Sequence, residues 1–118
     1  MAPVPLPERL VHAFEAIDRI EKIWSGKTFE AYASDPVLSA ATERFLEKIC
    51  EAVKHIPDDM KSEYPQIPWA QIRGLGNRLR HGYETIDAVV VWDIVRNDLT
   101  PLRAALLAIR ATAASRDQ

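Results

Sequence analysis

One stretch of this chain concentrates the residue types that handle phosphates and protons. Between Glu63 and Glu84 there is no acidic residue, while Arg73, Arg78, Arg80, His81 and Tyr83 all fall inside it. Guanidinium groups grip phosphate oxygens through paired N–H donors. Histidine is the side chain best suited to moving protons near neutral pH. At ~100° per residue, a helix would place Arg73, Asn77, Arg80 and Glu84 within an arc of about 60°, with His81 about 40° from Asn77 on its edge. Leu75 and Leu79 lie on a different side. The expected chemistry is therefore phosphate binding with proton transfer along one polar strip. A plainer reading stays open on the residue pattern alone. Basic residues in the last turns of a helix complement its dipole and can simply be solvated.

The other residues capable of chemistry read as structural. His12 beside Phe14 is expected at a helix edge, and His55 near a helix C-terminus, where a cation is favoured by the dipole. Three histidines spread along the chain and one cysteine, Cys50, form no zinc-type spacing, so no metal or cofactor is expected. A lone cysteine forms no disulfide within the chain, and Cys50 on an apolar stripe is expected to be buried and inert. Trp24, Trp69 and Trp92 read as core or dimer residues. Glu51 has two readings, a contact to the arginine strip or a cap on a neighbouring helix, and the residue pattern does not choose between them.

Helices must position the strip. Pro7, Pro36, Pro68 and Pro101 each precede a helical pattern, where the missing proline N–H does no harm. Asp35 and Thr100 stand just before two of them as capping side chains. The spacing predicts a first helix from about Pro7 to Trp24, through Leu10, Phe14, Ile17, Ile20 or Glu21, and Trp24. A short turn is expected at Phe29 to Ala33. The second long helix is expected from Pro36 to His55, burying Leu38, Ala41, Phe45, Ile49, Ala52, Val53 and Ile56. A short polar helix at Asp58 to Glu63 follows. The third long helix starts near Pro68, buries Trp69, Ile72, Leu75 and Leu79, and ends near Gly82 or Tyr83. Another runs from Asp87, its N-cap, to about Asn97; the Val89 to Trp92 run could form a strand, but no partner strand exists, so helix is preferred. The last helix is expected from Pro101 to about Ala114, carrying Leu102, Leu106, Leu107 and Ile109. Residues 1–6 and 115–118 are expected to be flexible tails.

Composition agrees with one all-α domain spanning residues 1–118. Hydrophobic residues make up 47% of the chain, enough for one core and too many for a disordered chain. The net charge of -2 means that any grip on nucleic acid must come from a local patch or an oligomer cleft. No apolar run approaches the roughly 18 residues that cross a membrane, and the N-terminal residues lack the blocks of a signal peptide. A soluble, cytoplasmic protein is expected.

The run from Gly74 through Asn77, His81 and Tyr83, followed by Ile86-Asp87 and Trp92-Asp93-Ile94, resembles the signature of HepT-type proteins of the HEPN ribonuclease superfamily. Cys50-Glu51-Ala52 resembles that family's Gly-Glu-Ala, and Asp98-Leu99 with Pro101-Leu102 resembles its ending. The resemblance implies a bundle of four to five helices that forms a homodimer, and metal-independent cleavage of RNA, with tRNA a candidate target. It makes His81 the catalytic histidine and implies a partner, a nucleotidyltransferase antitoxin of the MntA type, which silences the toxin by attaching AMP to Tyr83. One position departs from the pattern. The family's arginine, five residues before the histidine, is replaced by Gly76. Arg73 and Arg80 lie about 60° and 40° in azimuth from Gly76, so both are candidates to substitute in catalysis, with Asn77 and Arg78 supporting the site or touching RNA. Gly76 keeps a second reading open, a non-catalytic HEPN domain that binds nucleotide, RNA or the transferase. A third is a purely structural helical module.

Overall fold

Proline and aspartate set the helix starts. In the computed structural model, which describes residues 3–82 and 86–116, α1 spans Leu6–Trp24 with Pro7 in its first turn, and α3 spans Pro36–Lys54. Asp35 caps α3 by accepting from the backbone N–H groups of Val37 and Leu38, both at 3.0 Å, so the orphan donors of the first turn are satisfied. Between them the short α2, Phe29–Ala33, starts at Thr28, whose hydroxyl oxygen accepts from the Ala31 N–H at 3.1 Å. The short α4 is Asp58–Lys61, and α5 is Trp69–His81. Then α6, Ala88–Asp93, is capped by Asp87, which accepts from Val89 N–H at 2.9 Å. The Val89 to Trp92 run is helical, and no strand occurs among the described residues.

The last two expected helices are one continuous rod. A π-helical turn, Ile94–Asp98, joins α6 to α7, which spans Leu99–Arg116. Thr100 and Pro101 therefore start no new helix. Pro101 lacks an N–H for the carbonyl four residues earlier, that of Asn97, and its ring crowds that carbonyl. A wider turn with i→i+5 bonding accommodates the proline without a break. The rod also extends past Ala114, and α1 begins at Leu6.

Four rods thus build the all-α bundle: α3 packs against α1 on one side and α5 on the other, and α7 packs along α1. The core is continuous from Leu10, Ile17 and Ile20 on α1, through Leu46 and Ile49 on α3, to Leu106 and Ile109 on α7. Each fully buried aliphatic side chain of this kind contributes roughly 1.5–3 kcal/mol. The buried stripe of α3 is turned relative to expectation: Ala41 and Phe45 are half-buried, while Thr42 and Leu46 are buried. Thr42 is tolerated because both its hydrogen-bonding roles are filled. Its hydroxyl donates to the Leu38 carbonyl at 2.7 Å and accepts from the Trp24 indole N–H at 2.9 Å. On α7 Leu107 is exposed, while Leu99 and Ala105 are buried with Leu102, Leu106 and Ile109. All three tryptophans serve packing. Trp24 stacks on Trp92 with centroids 5.0 Å apart, and the Trp69 indole N–H donates to the carbonyls of Lys61 at 3.0 Å and Tyr64 at 3.1 Å.

Candidate functional site

The basic strip rides on α5, and both ends of that helix are determined by local chemistry. Trp69, pinned to the chain leaving α4, anchors its start. Gly82 ends it with φ 63°, a left-handed conformation that glycine adopts without a Cβ penalty. The Gly82 N–H donates back to the Arg78 carbonyl at 3.2 Å. His81 is therefore the last helical residue, exposed at the tip. Arg78, Arg80 and His81 form the final turn, where cationic groups complement the negative helix end. Tyr83 lies outside the described residues.

Between these ends α5 crosses α3 at close range. Gly76 is buried against Cys50, and a β-carbon on residue 76 would lie 2.9 Å from the Cys50 β-carbon and 3.7 Å from its sulfur. Burial, reinforced by the Glu47 carboxylate and partly offset by the Arg80 guanidinium, pushes the Cys50 thiol up to about 12. The expectation of a buried, inert cysteine matches this environment.

Beside the crossing lies a cleft of about 290 Å³ between α3, α4 and α5. Arg73, Asn77 and Arg80 line it together with Gly76, which brings three of the expected site residues to one place. The Arg80 Nη2 donates to Asn77 Oδ1 at 3.4 Å, so the asparagine carbonyl holds the arginine on this face. Sequence reasoning missed two further cations here, Lys54 from the end of α3 and Lys61 from α4. No spacing rule links them to α5, because the cleft is assembled from three separate helices.

Arg80 also borders a second cleft of about 350 Å³, with Arg9, His12, Arg44 and Lys48 facing Glu47 and Glu51. Among the described residues Glu51 neither caps a neighbouring helix nor pairs with the arginine strip. Its carboxylate meets His55 Nε2 at 3.5 Å. Arg78 lies apart from Arg73 and Arg80. It lines a mainly apolar groove of about 530 Å³ on the other flank of α5, with Ile72, Leu75, Val90, Ile94 and Asp98. Burial, with a smaller contribution from Asp93, raises the Asp98 carboxyl above its usual range.

Among the described residues no group of three or more His, Cys, Asp or Glu side chains is placed to hold a metal ion. Nor is any described helix long and apolar enough to cross a membrane.

The family model described as "Ribonuclease HepT-like" matches residues 13–109. This chain belongs to the HepT-like ribonuclease family. It is 35% identical over 96 residues to "Probable ribonuclease HepT" of Thermococcus cleftensis, covering 81% of this chain and 87% of that protein. It is 32% identical over 100 residues to "Putative RNase TTE0752" of Caldanaerobacter subterraneus subsp. tengcongensis, covering 85% and 87%. It is also 36% identical over 97 residues to "Putative RNase MJ0127" of Methanocaldococcus jannaschii, covering 78% and 80%. No solved structure matches the chain.

Proposed function

We propose that this protein is a metal-independent endoribonuclease, the cytoplasmic toxin of a HEPN/nucleotidyltransferase pair, working as a homodimer. The observation that carries the reading is the gathering of Arg73, Asn77 and Arg80 on one cleft of α5, in the two turns that lead up to His81, in a chain of a ribonuclease family. RNA supplies its own nucleophile. The 2′-hydroxyl attacks the adjacent phosphorus, the bond to the 5′-oxygen breaks, and the products are a 2′,3′-cyclic phosphate and a 5′-hydroxyl. His81 moves the proton, and Arg73 or Arg80 steadies the charge that builds on the phosphorane. The apolar groove on the far flank of α5 and the exposed Val89 and Val90 on α6 support dimer formation. In a dimer two basic strips add their fields, which suits an acidic chain that must hold RNA.

In the same reading a nucleotidyltransferase antitoxin joins the AMP of ATP to the Tyr83 phenol oxygen and releases pyrophosphate. The added phosphate sits near His81 and competes for the cations that RNA phosphate needs.

Cleavage of a labelled tRNA pool in the presence of EDTA, run beside His81→Ala, tests the proposal. Wild-type protein freed of AMP should cut RNA, leave matched DNA intact and produce cyclic phosphate ends; His81→Ala should not cut. Equal cutting of DNA, or activity surviving in His81→Ala, would sink the mechanism. A second reading, a non-catalytic HEPN domain that binds RNA, nucleotide or the transferase, is favoured by one observation. The Gly76 position is packed against Cys50 and offers no side chain to phosphate.

A further inference from the structure

We infer that Lys54 and Lys61 form a phosphate subsite for the RNA strand, in the cleft beside Gly76. The inference rests on the RNA-binding part of the reading above. Lys54, Lys61, Arg73 and Arg80 converge on this cleft from three helices, against the single carboxylate of Asp58. None of the four makes an ion pair among the described residues. What marks this cleft is the convergence of the four on one concavity, since ion pairs of lysine or arginine among the described residues are few: Arg44 with Glu47, Arg103 with Asp18 and Arg116 with Asp59. Like charges gathered around one concavity repel each other until an anion enters, and the low-dielectric floor focuses their field into it.

The floor itself explains why the space exists. At Gly76 the helix presents only backbone, and the surrounding floor is apolar, formed by Val53 and Ile56. The Cβ direction of residue 76 points at Cys50, so no side chain from this position crosses the cleft. The volume of about 290 Å³ sits at the small end of ligand pockets, ~300–1,000 Å³, which suits a piece of one strand. Trp69 completes the wall. Its ring is held by two hydrogen bonds to backbone, and the Lys61 ammonium lies 5.9 Å from its centroid. The ring thus holds the lysine ammonium at the wall of the cleft. The neighbouring cleft is a poorer candidate, because Glu47 and Glu51 offset its cations.

The test uses the full chain. Lys54→Gln, Lys61→Gln, the double variant and the control Arg19→Gln are placed in a His81→Ala background. Binding of a labelled single-stranded RNA is then measured across a salt series, with thermal melts to confirm folding. Each lost phosphate contact should lower the slope of log K against log salt by about 0.7, so the double variant should lose about 1.4 and bind about tenfold more weakly at low salt. Lysine-to-arginine changes should retain the slope. In the His81-containing protein the double variant should raise KM and leave kcat within about twofold. An unchanged slope in the double variant, with RNA still bound, overturns the subsite and leaves the ribonuclease reading standing. Binding with the expected slope change but without cleavage by wild type supports the subsite and removes catalysis. Equal, lysine-dependent binding of free nucleotide and RNA would overturn the assignment to an RNA strand.

Discussion

Gly76 of α5 lies so close to Cys50 of α3 that a β-carbon added to it would meet the cysteine β-carbon at 2.9 Å. The crossing joins the one departure noted above, Gly76, to the first residue of Cys50-Glu51-Ala52. The helices can cross this closely because residue 76 brings no side chain against residue 50. Gly76 is thus explained by packing as well as by the loss of a cation.

This pairing predicts a sign change. Gly76→Ala gains about 1 kcal/mol of helix propensity but overpacks the crossing by about 1–3 kcal/mol, so denaturant melts should show net destabilisation. In a Cys50→Gly background the clash is absent, and Gly76→Ala should stabilise by about 1 kcal/mol. Gly74→Ala, where nothing lies within 4 Å of an added β-carbon, should stabilise by a similar amount in the wild-type chain. Additive behaviour of Cys50→Gly and Gly76→Ala would show that the two do not compete for space.

The Cys50 thiol should be silent until the chain unfolds. Its pKa of about 12 against an ordinary 9.0 leaves about a thousandfold less thiolate near neutral pH, before burial slows access further. Alkylation by iodoacetamide at pH 8 should be at least a hundredfold slower in native protein than in denaturant. The raised pKa also sets a stability window. The thiol costs nothing below pH 9, and stability falls as pH rises from about 9 toward 12, because the unfolded chain ionises first. Cys50→Ala should flatten that alkaline slope.

Arg73 and Arg80 should separate from Arg78 in cleavage assays. The first two line the cleft beside Gly76, and Arg78 lines the opposite groove. Loss of whichever arginine faces the reacting phosphate should lower kcat about 10²–10³-fold. Arg78→Ala should leave kcat nearly unchanged when the protein concentration is high enough to hold any dimer together. Unchanged cleavage in both Arg73→Ala and Arg80→Ala would remove them from catalysis.

Asp98→Asn should raise the melting temperature at neutral pH. Burial disfavours the Asp98 carboxylate, so the charged form weakens the native state at pH values above its raised native pKa. Below the unfolded value of 3.8 the carboxyl is protonated in both states, and the benefit of the substitution should vanish. Melts of the two proteins from pH 3 to 8 should therefore diverge as pH rises.

The helices were legible wherever local chemistry determined them. Asp35-Pro36 and Asp87 cap as expected, and the stripe on α1 from Leu10 to Trp24 is buried as its spacing requires. Reading failed where a residue's role depends on a distant partner. Thr42 is polar and belongs inside only because Trp24 donates to it across the bundle. Leu107 follows a run of apolar residues that puts leucine on more than one side of α7, and only the packing of α1 decides which side is covered. The strip of Arg73, Asn77 and Arg80 could be drawn from helical periodicity, since all three share α5. Lys54 and Lys61 could not, because nothing in their own neighbourhoods points to α5.

The π turn at Ile94–Asp98 acts as a phase shifter. One extra residue in a helix rotates everything beyond it by about 100° relative to an unbroken α pattern. By count at 100° per residue Val91, Leu102 and Leu106 fall within about 60° of one another, so the extra residue turns Val91 before it away from the direction of Leu102 and Leu106 after it, and all three are nevertheless buried. The proline that provokes the turn thus lets one rod serve two surfaces, α6 covering the aromatic cluster around Trp92 and α7 lying along α1. Pro101→Ala combined with deletion of one residue from the turn would straighten the rod, and one of those two surfaces would then be presented with the wrong face.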